Sequence, residues 1–220
     1  MAERDFGDAL CFGGQDRWLP GAPRMVRRLF GAGVLSAAVV IGSAGIVEAA
    51  GPQSMSHLPA VERVSAPMGF HGVCERYAWA CSPTSQSARQ IGHNDLASLA
   101  RRVNTSVNKQ VREVSDFDQY RVSEHWSLPT ARGGDCEDFA LLKKRELMRL
   151  GVAPERLLIA TALTQQREAH AVLVLRTDAG DLVLDNLTNR IRPWEKTGYT
   201  FLRMQDPARP ARWQLLAVGG

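Results

Sequence analysis

GGDCEDFALLKKRELMRLGV (residues 133–152) and HAVLVLRTDAGDLVLDNL (residues 170–187) are the two stretches whose reading decides the fold. In the first, Gly133-Gly134 punctuates the chain, and a helix is predicted from about Cys136 to Leu150. Phe139, Ala140, Leu147, Met148 and Leu150 supply its apolar face, and Gly151 is the expected stop. Asp135 is a good N-cap, and Asp138, three positions on, completes a capping-box-like pair. Cys136 then falls at the first helical position. Free backbone N–H groups and the partial positive charge of a helix N-terminus favour a thiolate there. The same N–H groups can receive an oxyanion beside the sulfur. The two glycines permit close approach of the loop and of a substrate chain. Asp135, Glu137 and Asp138 oppose all this, because nearby carboxylates disfavour a thiolate. Either an imidazolium outweighs them or a hard cation such as Ca²⁺ occupies them; the plain alternative is that they only cap the helix.

The second stretch supplies the imidazole. Arg156–Leu163, His170–Arg176 and Leu182–Leu187 read as strands, and Asp178-Ala179-Gly180-Asp181 is a hairpin turn between the last two. An acid inside LVLDNL is costly unless it has a partner. With the turn centred near Thr177–Ala179, His170 falls opposite or nearly opposite Asp185, on one face and with Cβ atoms about 5 Å apart. That places a carboxylate to orient an imidazole, which in turn takes the proton of the Cys136 thiol. His71 and His93 have no acidic strand partner, and His57 lies in an irregular lead-in. His125, in the loop before the glycines, is the second choice of base.

Upstream, Leu96, Leu99, Ala100, Val103, Val107, Val111 and Val114 recur at helical spacing, with Asn94 or Asp95 as cap and Arg101, Asn108, Lys109 and Arg112 on the other face. Residues 115–134 read as a loop, and residues 51–90 as an irregular segment anchored by Tyr77 and Trp79. Trp213–Val218 is expected to be an edge strand. Helices first and an antiparallel sheet second make an α+β domain rather than a βαβ one.

The N-terminus divides in two. Residues 1–24 are Gly-rich without a period, and form a doubtful extension before Met25. Residues 25–49 have Arg27-Arg28, an uncharged run from Leu29 to Val47, and the small-x-small site Val47-Glu48-Ala49. This is the pattern of a cleaved signal peptide; the run is also long enough for an uncleaved anchor. Either way residues 50–220 form an exported domain, expected in the periplasm. In such a compartment Cys74 and Cys81 are placed for a local disulfide, Cys11 falls in the leader, and Cys136 is left without an evident partner. The net charge of +4 is spread along the chain rather than clustered, which argues against a nucleic-acid partner.

The stretches GGDCEDFALLKKRELMRLGV, HAVLVLR and LVLDNLTNRI, with RVNTSVNKQV and HWSLPT upstream and YTFLRMQDPARPARWQLL near the end, resemble the bacterial transglutaminase-like cysteine proteinases, the LapG-type periplasmic proteases. The resemblance covers roughly residues 66–216. It implies a papain-like, transglutaminase-type fold, a Cys136-His170-Asp185 triad and calcium dependence. Asp135 and Glu137 match its calcium-linked acids, with Asp138 as a further ligand. It also implies a protein substrate of the large-adhesin kind, cut to disperse biofilm, and an inner-membrane cyclic di-GMP receptor as regulator. Two other classes compete. A transglutaminase-type acyltransferase would use the same triad but resolve the acyl-enzyme with an amine. A non-catalytic binding module is disfavoured because Cys, His and Asp are all intact.

Overall fold

Apart from one strand, Ala60–Val64, that comes first, the helices precede the strands of an antiparallel sheet, as the order of periodic segments predicts. The computed structural model describes Cys11, residues 56–85 and residues 88–219. The expected signal segment, 25–49, lies outside the described residues. Among the described residues no helix is long and apolar enough to cross a membrane.

The chain forms β1 (Ala60–Val64), α1 (Val73–Arg76), α2 (Ala78–Cys81), α3 (His93–Gln110), α4 (Asp116–Tyr120) and α5 (Cys136–Arg149). It continues through β2 (Leu157–Leu163), β3 (Ala169–Thr177), β4 (Gly180–Leu184), β5 (Arg192–Pro193), β6 (Thr200–Asp206) and β7 (Arg209–Gly219). The sheet order is β1-β7-β6-β2-β3-β4-β5, and every pairing is antiparallel. Cys74 and Cys81 are joined, linking α1 to α2 as expected.

β2 and β3 are buried on both faces, which is why LLIATAL and AVLVL are continuous apolar runs rather than alternating ones. Leu157, Ile159, Leu173 and Leu175 face a helical layer that also holds Leu96, Val103, Phe139 and Leu147. Leu158, Ala160, Val172 and Val174 face a second cluster with Leu58, Trp194, Phe201 and Met204. Helix α5 lies at the centre of the helical layer and packs on β3 and α3. Even its Lys143 and Lys144 are buried, and burial pushes both ammonium groups down to about 7. Lys144 Nζ donates to Gln205 Oε1 at 2.7 Å. The N-terminal turn of α5 is therefore fixed by a fully packed helix.

Several boundaries differ from the sequence reading. β7 is not an edge strand, because β1 pairs outside it. β1 escaped notice because AVERV is mostly exposed and carries no alternation. The helix expected to reach Val114 ends at Gln110, and residues 112–114 turn instead to pair with Gly134. The expected loop 115–134 contains α4, started by Ser115, whose hydroxyl accepts the Asp118 N–H. Leu150 is half exposed rather than part of the apolar face. Tyr77 and Trp79 do pack on the helix-side core.

Candidate active site

Cys136 opens α5, at the position the glycine and aspartate pattern assigns to it. Gly133 adopts φ +129, and a Cβ there would sit 2.1 Å from the Arg112 carbonyl oxygen. A Cβ on Gly134 would lie 2.4 Å from Asp138 Oδ2. The glycines thus bring the loop against residues 112–114 and against the helix it leads into. Gly133→Ala is expected to cost about 2–4 kcal/mol, since both the positive φ and a backbone neighbour resist it; urea unfolding measures it.

The Ala171 N–H donates to Cys136 Sγ at 3.1 Å. A ring nitrogen of His170 lies within 4.8 Å of that sulfur. His170 Nε2 is 2.9 Å from Asp185 Oδ1. Burial pushes the Asp185 carboxyl up, but the hydrogen bond and charge of His170, the Tyr199 hydroxyl and the Leu187 N–H outweigh it and hold it below the ordinary range. An ionised Asp185 only accepts, so Nε2 carries the hydrogen and Nδ1 is left for the sulfur. The three predicted residues are therefore brought together. The register differs in detail: Leu173 pairs with Leu184, so Val172 is level with Asp185 and His170 lies diagonal to it. Asp185 stands just past the end of β4, where the strand loosens and the carboxylate can reach back along one face.

Asp185 is held from two further sides. On α3, Asn108 Nδ2 reaches the Asp185 carbonyl at 2.9 Å and Asn104 Nδ2 the Thr188 carbonyl at 3.0 Å. Sequence reading put Asn108 on the outer face of that helix. The Tyr199 hydroxyl donates to Asp185 Oδ2 at 2.6 Å.

One expectation is overturned at the sulfur. Cys136 has a partner: its Sγ is bonded to Cys11 Sγ. The Cys11 N–H donates to the Ala169 carbonyl at 3.0 Å, and the Cys136 N–H points at Cys11 Sγ at 3.2 Å. The sequence gives no signal for a contact across 125 residues, because cysteine spacing does not define connectivity. A chain cut after Ala49 leaves without Cys11, and Cys136 is then a free thiol.

The acids gather beside the thiol. One carboxylate oxygen from each of Asp116, Asp135 and Asp138 lies within 4.8 Å of the others. Each residue spends one oxygen on a backbone N–H. Asp116 Oδ2 accepts from His125, Asp135 Oδ2 from Asp116 at 3.0 Å, and Asp138 Oδ1 from Ser127 at 2.8 Å. Asp116 Oδ1, Asp135 Oδ1 and Asp138 Oδ2 are buried with no partner, which is the donor set a hard cation takes. Asp135 and Asp138 do not form the expected capping pair: the Asp135 side chain makes no cap hydrogen bond, and each residue gives one oxygen to a backbone N–H outside the helix. Glu137 borders the cluster beside Asp116 and Asp135, with its Oε2 3.4 Å from Cys136 Sγ. All three predicted ligands therefore adjoin the cluster, and Asp116 was missed. His125, the second-choice base, packs on Tyr120 and serves the cluster through its backbone.

A family model of bacterial transglutaminase-like cysteine proteinases, BTLCP, matches residues 60–219. This chain belongs to that family. It is a transglutaminase-like cysteine protease, and its mixed helix and antiparallel sheet architecture is the one the sequence analysis expected. Calcium-bound LapG of Legionella pneumophila is 23% identical over 61% of this chain and 74% of that chain, with a TM-score of 0.48. The EGTA-treated form of that LapG is 21% identical over 66% and 84%, with a TM-score of 0.44. No curated protein matches the chain.

In this family member the acids carry a pH signature. Burial, then the Asp116 charge, pushes Asp135 up to about 7; burial, then Asp135, pushes Asp138 up to about 9. Glu137 is raised well above its ordinary range by burial and then by Asp135 and the other acids around it. Each binds protons more tightly folded than unfolded, so the stability these acids contribute without a cation is full below about pH 4 and declines as pH rises, while the lowered carboxyl of Asp185 acts in the opposite sense only below that range. Lys143 and Lys144, lowered to about 7, act in the opposite sense only above that pH. In EGTA the melting temperature is therefore expected to fall between about pH 5 and 7. Calcium requires the ionised acids, so its stabilising shift should grow across the same range, as scanning calorimetry would show.

Proposed function

We propose that this chain is an exported, calcium-dependent endopeptidase with Cys136 as nucleophile, His170 as base and Asp185 as its orienter. The observation that carries the reading is the single linked set. A sulfur sits at a helix N-terminus, a histidine nitrogen lies within 4.8 Å of it, and that ring's Nε2 is fixed on an ionised carboxylate. His170 Nδ1 takes the Sγ proton, and the thiolate attacks a peptide carbonyl carbon. The carbonyl oxygen becomes an oxyanion beside the Cys136 N–H. As the C–N bond breaks, the imidazolium gives its proton to the leaving amine. Water then loses a proton to His170 and attacks the thioester; the C–S bond breaks and the thiolate recovers that proton.

The Cys11 N–H on the Ala169 carbonyl, one residue before His170, supports a reading in which a substrate main chain lies along that strand beside the sulfur. The cation belongs at Asp116, Asp135 and Asp138, with Glu137 adjoining. Bound calcium would neutralise acids that otherwise oppose the Cys136 thiolate. The signal-like segment 25–49 and the family resemblance support a periplasmic enzyme cutting a large surface adhesin. The same resemblance supports an inner-membrane cyclic di-GMP receptor as its regulator.

The test incubates leader-free protein with N-terminal fragments of large adhesins from the same genome, with calcium or EGTA and with a labelled primary amine. Discrete cleavage lost on chelation is expected. Incorporation of the amine without cleavage would move the reading to the acyltransferase, and cleavage untouched by EGTA would remove calcium from it.

A further inference from the structure

Tyr199 stands between the turn at residues 194–197 and β6, and it touches two of the three residues just discussed. Its hydroxyl donates to Asp185 Oδ2 at 2.6 Å. Its ring meets the His170 ring edge-on, with centroids 5.7 Å apart and planes at 86°. Asp185 thus has both oxygens fully assigned: Oδ1 to His170 Nε2 and the Leu187 N–H, Oδ2 to Tyr199. Tyr199 is itself tied down. Its N–H donates to Thr197 Oγ1 at 3.1 Å, that hydroxyl donates to the Trp194 carbonyl at 2.7 Å, and Gln165 Nε2 reaches the Thr197 carbonyl at 3.1 Å.

We propose that Tyr199 is a positioning residue of the catalytic set, fixing both the rotation of the Asp185 carboxylate and the tilt of the His170 ring so that Nδ1 faces Cys136 Sγ. This rests on the triad reading above. The physical case is that a carboxylate bonded on one oxygen alone can swing about its Cβ–Cγ bond. Behind Asp185 is a small cavity lined by Thr188, Arg190, Arg192 and Tyr199, open enough for water to replace the phenol. Burial and the Asp185 charge push the Tyr199 hydroxyl far above the ordinary phenol range, so it stays a donor throughout the working range. Held through Thr197, the phenol supplies what a mobile water there would not, a donor fixed in direction on Asp185 Oδ2, and its ring adds a rigid wall on one side of the imidazole. No sequence pattern marks the residue. It lies 14 positions past Asp185 in an irregular stretch, and only the folded loop brings it there.

The test uses the full chain held in a phosphine reductant, so that Cys11 and Cys136 are separate, and follows iodoacetamide alkylation of each cysteine by peptide mass spectrometry. Cys74 and Cys81 are internal references. Wild-type Cys136 should react fastest and His170→Ala should slow it to the reference rate. Tyr199→Phe, which keeps the ring and loses only the hydroxyl, should slow Cys136 by about tenfold, the usual scale for a group that orients a functional ligand. It should lower kcat in a cleavage assay by a similar factor with KM little changed. In an Asp185→Asn background the same change should have no further effect, because the hydroxyl acts only through that carboxylate. A merely structural tyrosine would give equal factors in both backgrounds, and that result would overturn the proposal. So would wild-type reactivity in Tyr199→Phe at a temperature well below its melting point. Should His170→Ala leave Cys136 alkylation unchanged, the triad reading itself falls.

Discussion

Cys136→Ala is expected to abolish cleavage, a fall of at least about 10⁴-fold, while the melting temperature in reductant stays within a few degrees of wild type. The size follows from covalent catalysis, since in leader-free protein, which lacks Cys11, no other sulfur among the described residues stands within reach of His170. The small thermal effect follows from the local chemistry. Alanine is the best helix former, and Cys136 is already held at the start of a helix whose packing lies further along, at Phe139, Leu141 and Leu147. What is lost is one acceptor for the Ala171 N–H. A melting temperature lower by ten degrees or more would mark Cys136 as structural.

Asp116→Ala is expected to erase the calcium response. Saturating calcium at 100 to 1,000 times its dissociation constant should stabilise wild type by about 3–4 kcal/mol, several degrees in melting temperature for a domain of this size. Asp116 supplies one of the buried, unpartnered acid oxygens that gather there, with Asp135, Asp138 and Glu137 supplying the others, and these would account for a calcium affinity. Without it the shift should shrink to about a degree, and cleavage should become weak and insensitive to EGTA. Asp135→Ala should do the same. Wild-type melting curves that coincide in calcium and EGTA would sink the cation site.

Residues 133–187 made much of this legible in advance. A glycine pair, an N-cap aspartate and an apolar helix face placed Cys136, because helix starts are written in local chemistry. An acid and a histidine in neighbouring apolar strands implied each other, because neither is tolerated alone. The diagonal register was not legible, since it depends on where β4 lets go, one residue before Asp185. Asp116, Asn104 and Tyr199 were missed for a shared reason. Each reaches its partner across a turn or a helix–loop packing that no local period encodes, and each looks like an ordinary polar residue in its own segment. The Cys11 contact lies at the far extreme, crossing a segment read as a cleaved leader. β1 was missed for the opposite reason: an exposed edge strand carries charges where a buried one would show a pattern.

The most direct test of a Cys136-His170-Asp185 protease is a peptide library made from a digested proteome, incubated with calcium and leader-free protein, with new N-termini labelled and sequenced by mass spectrometry. Wild type is predicted to produce a narrow set of new termini that disappears in Cys136→Ala, His170→Ala and Asp185→Ala alike. The same termini from Cys136→Ala as from wild type would contradict the account.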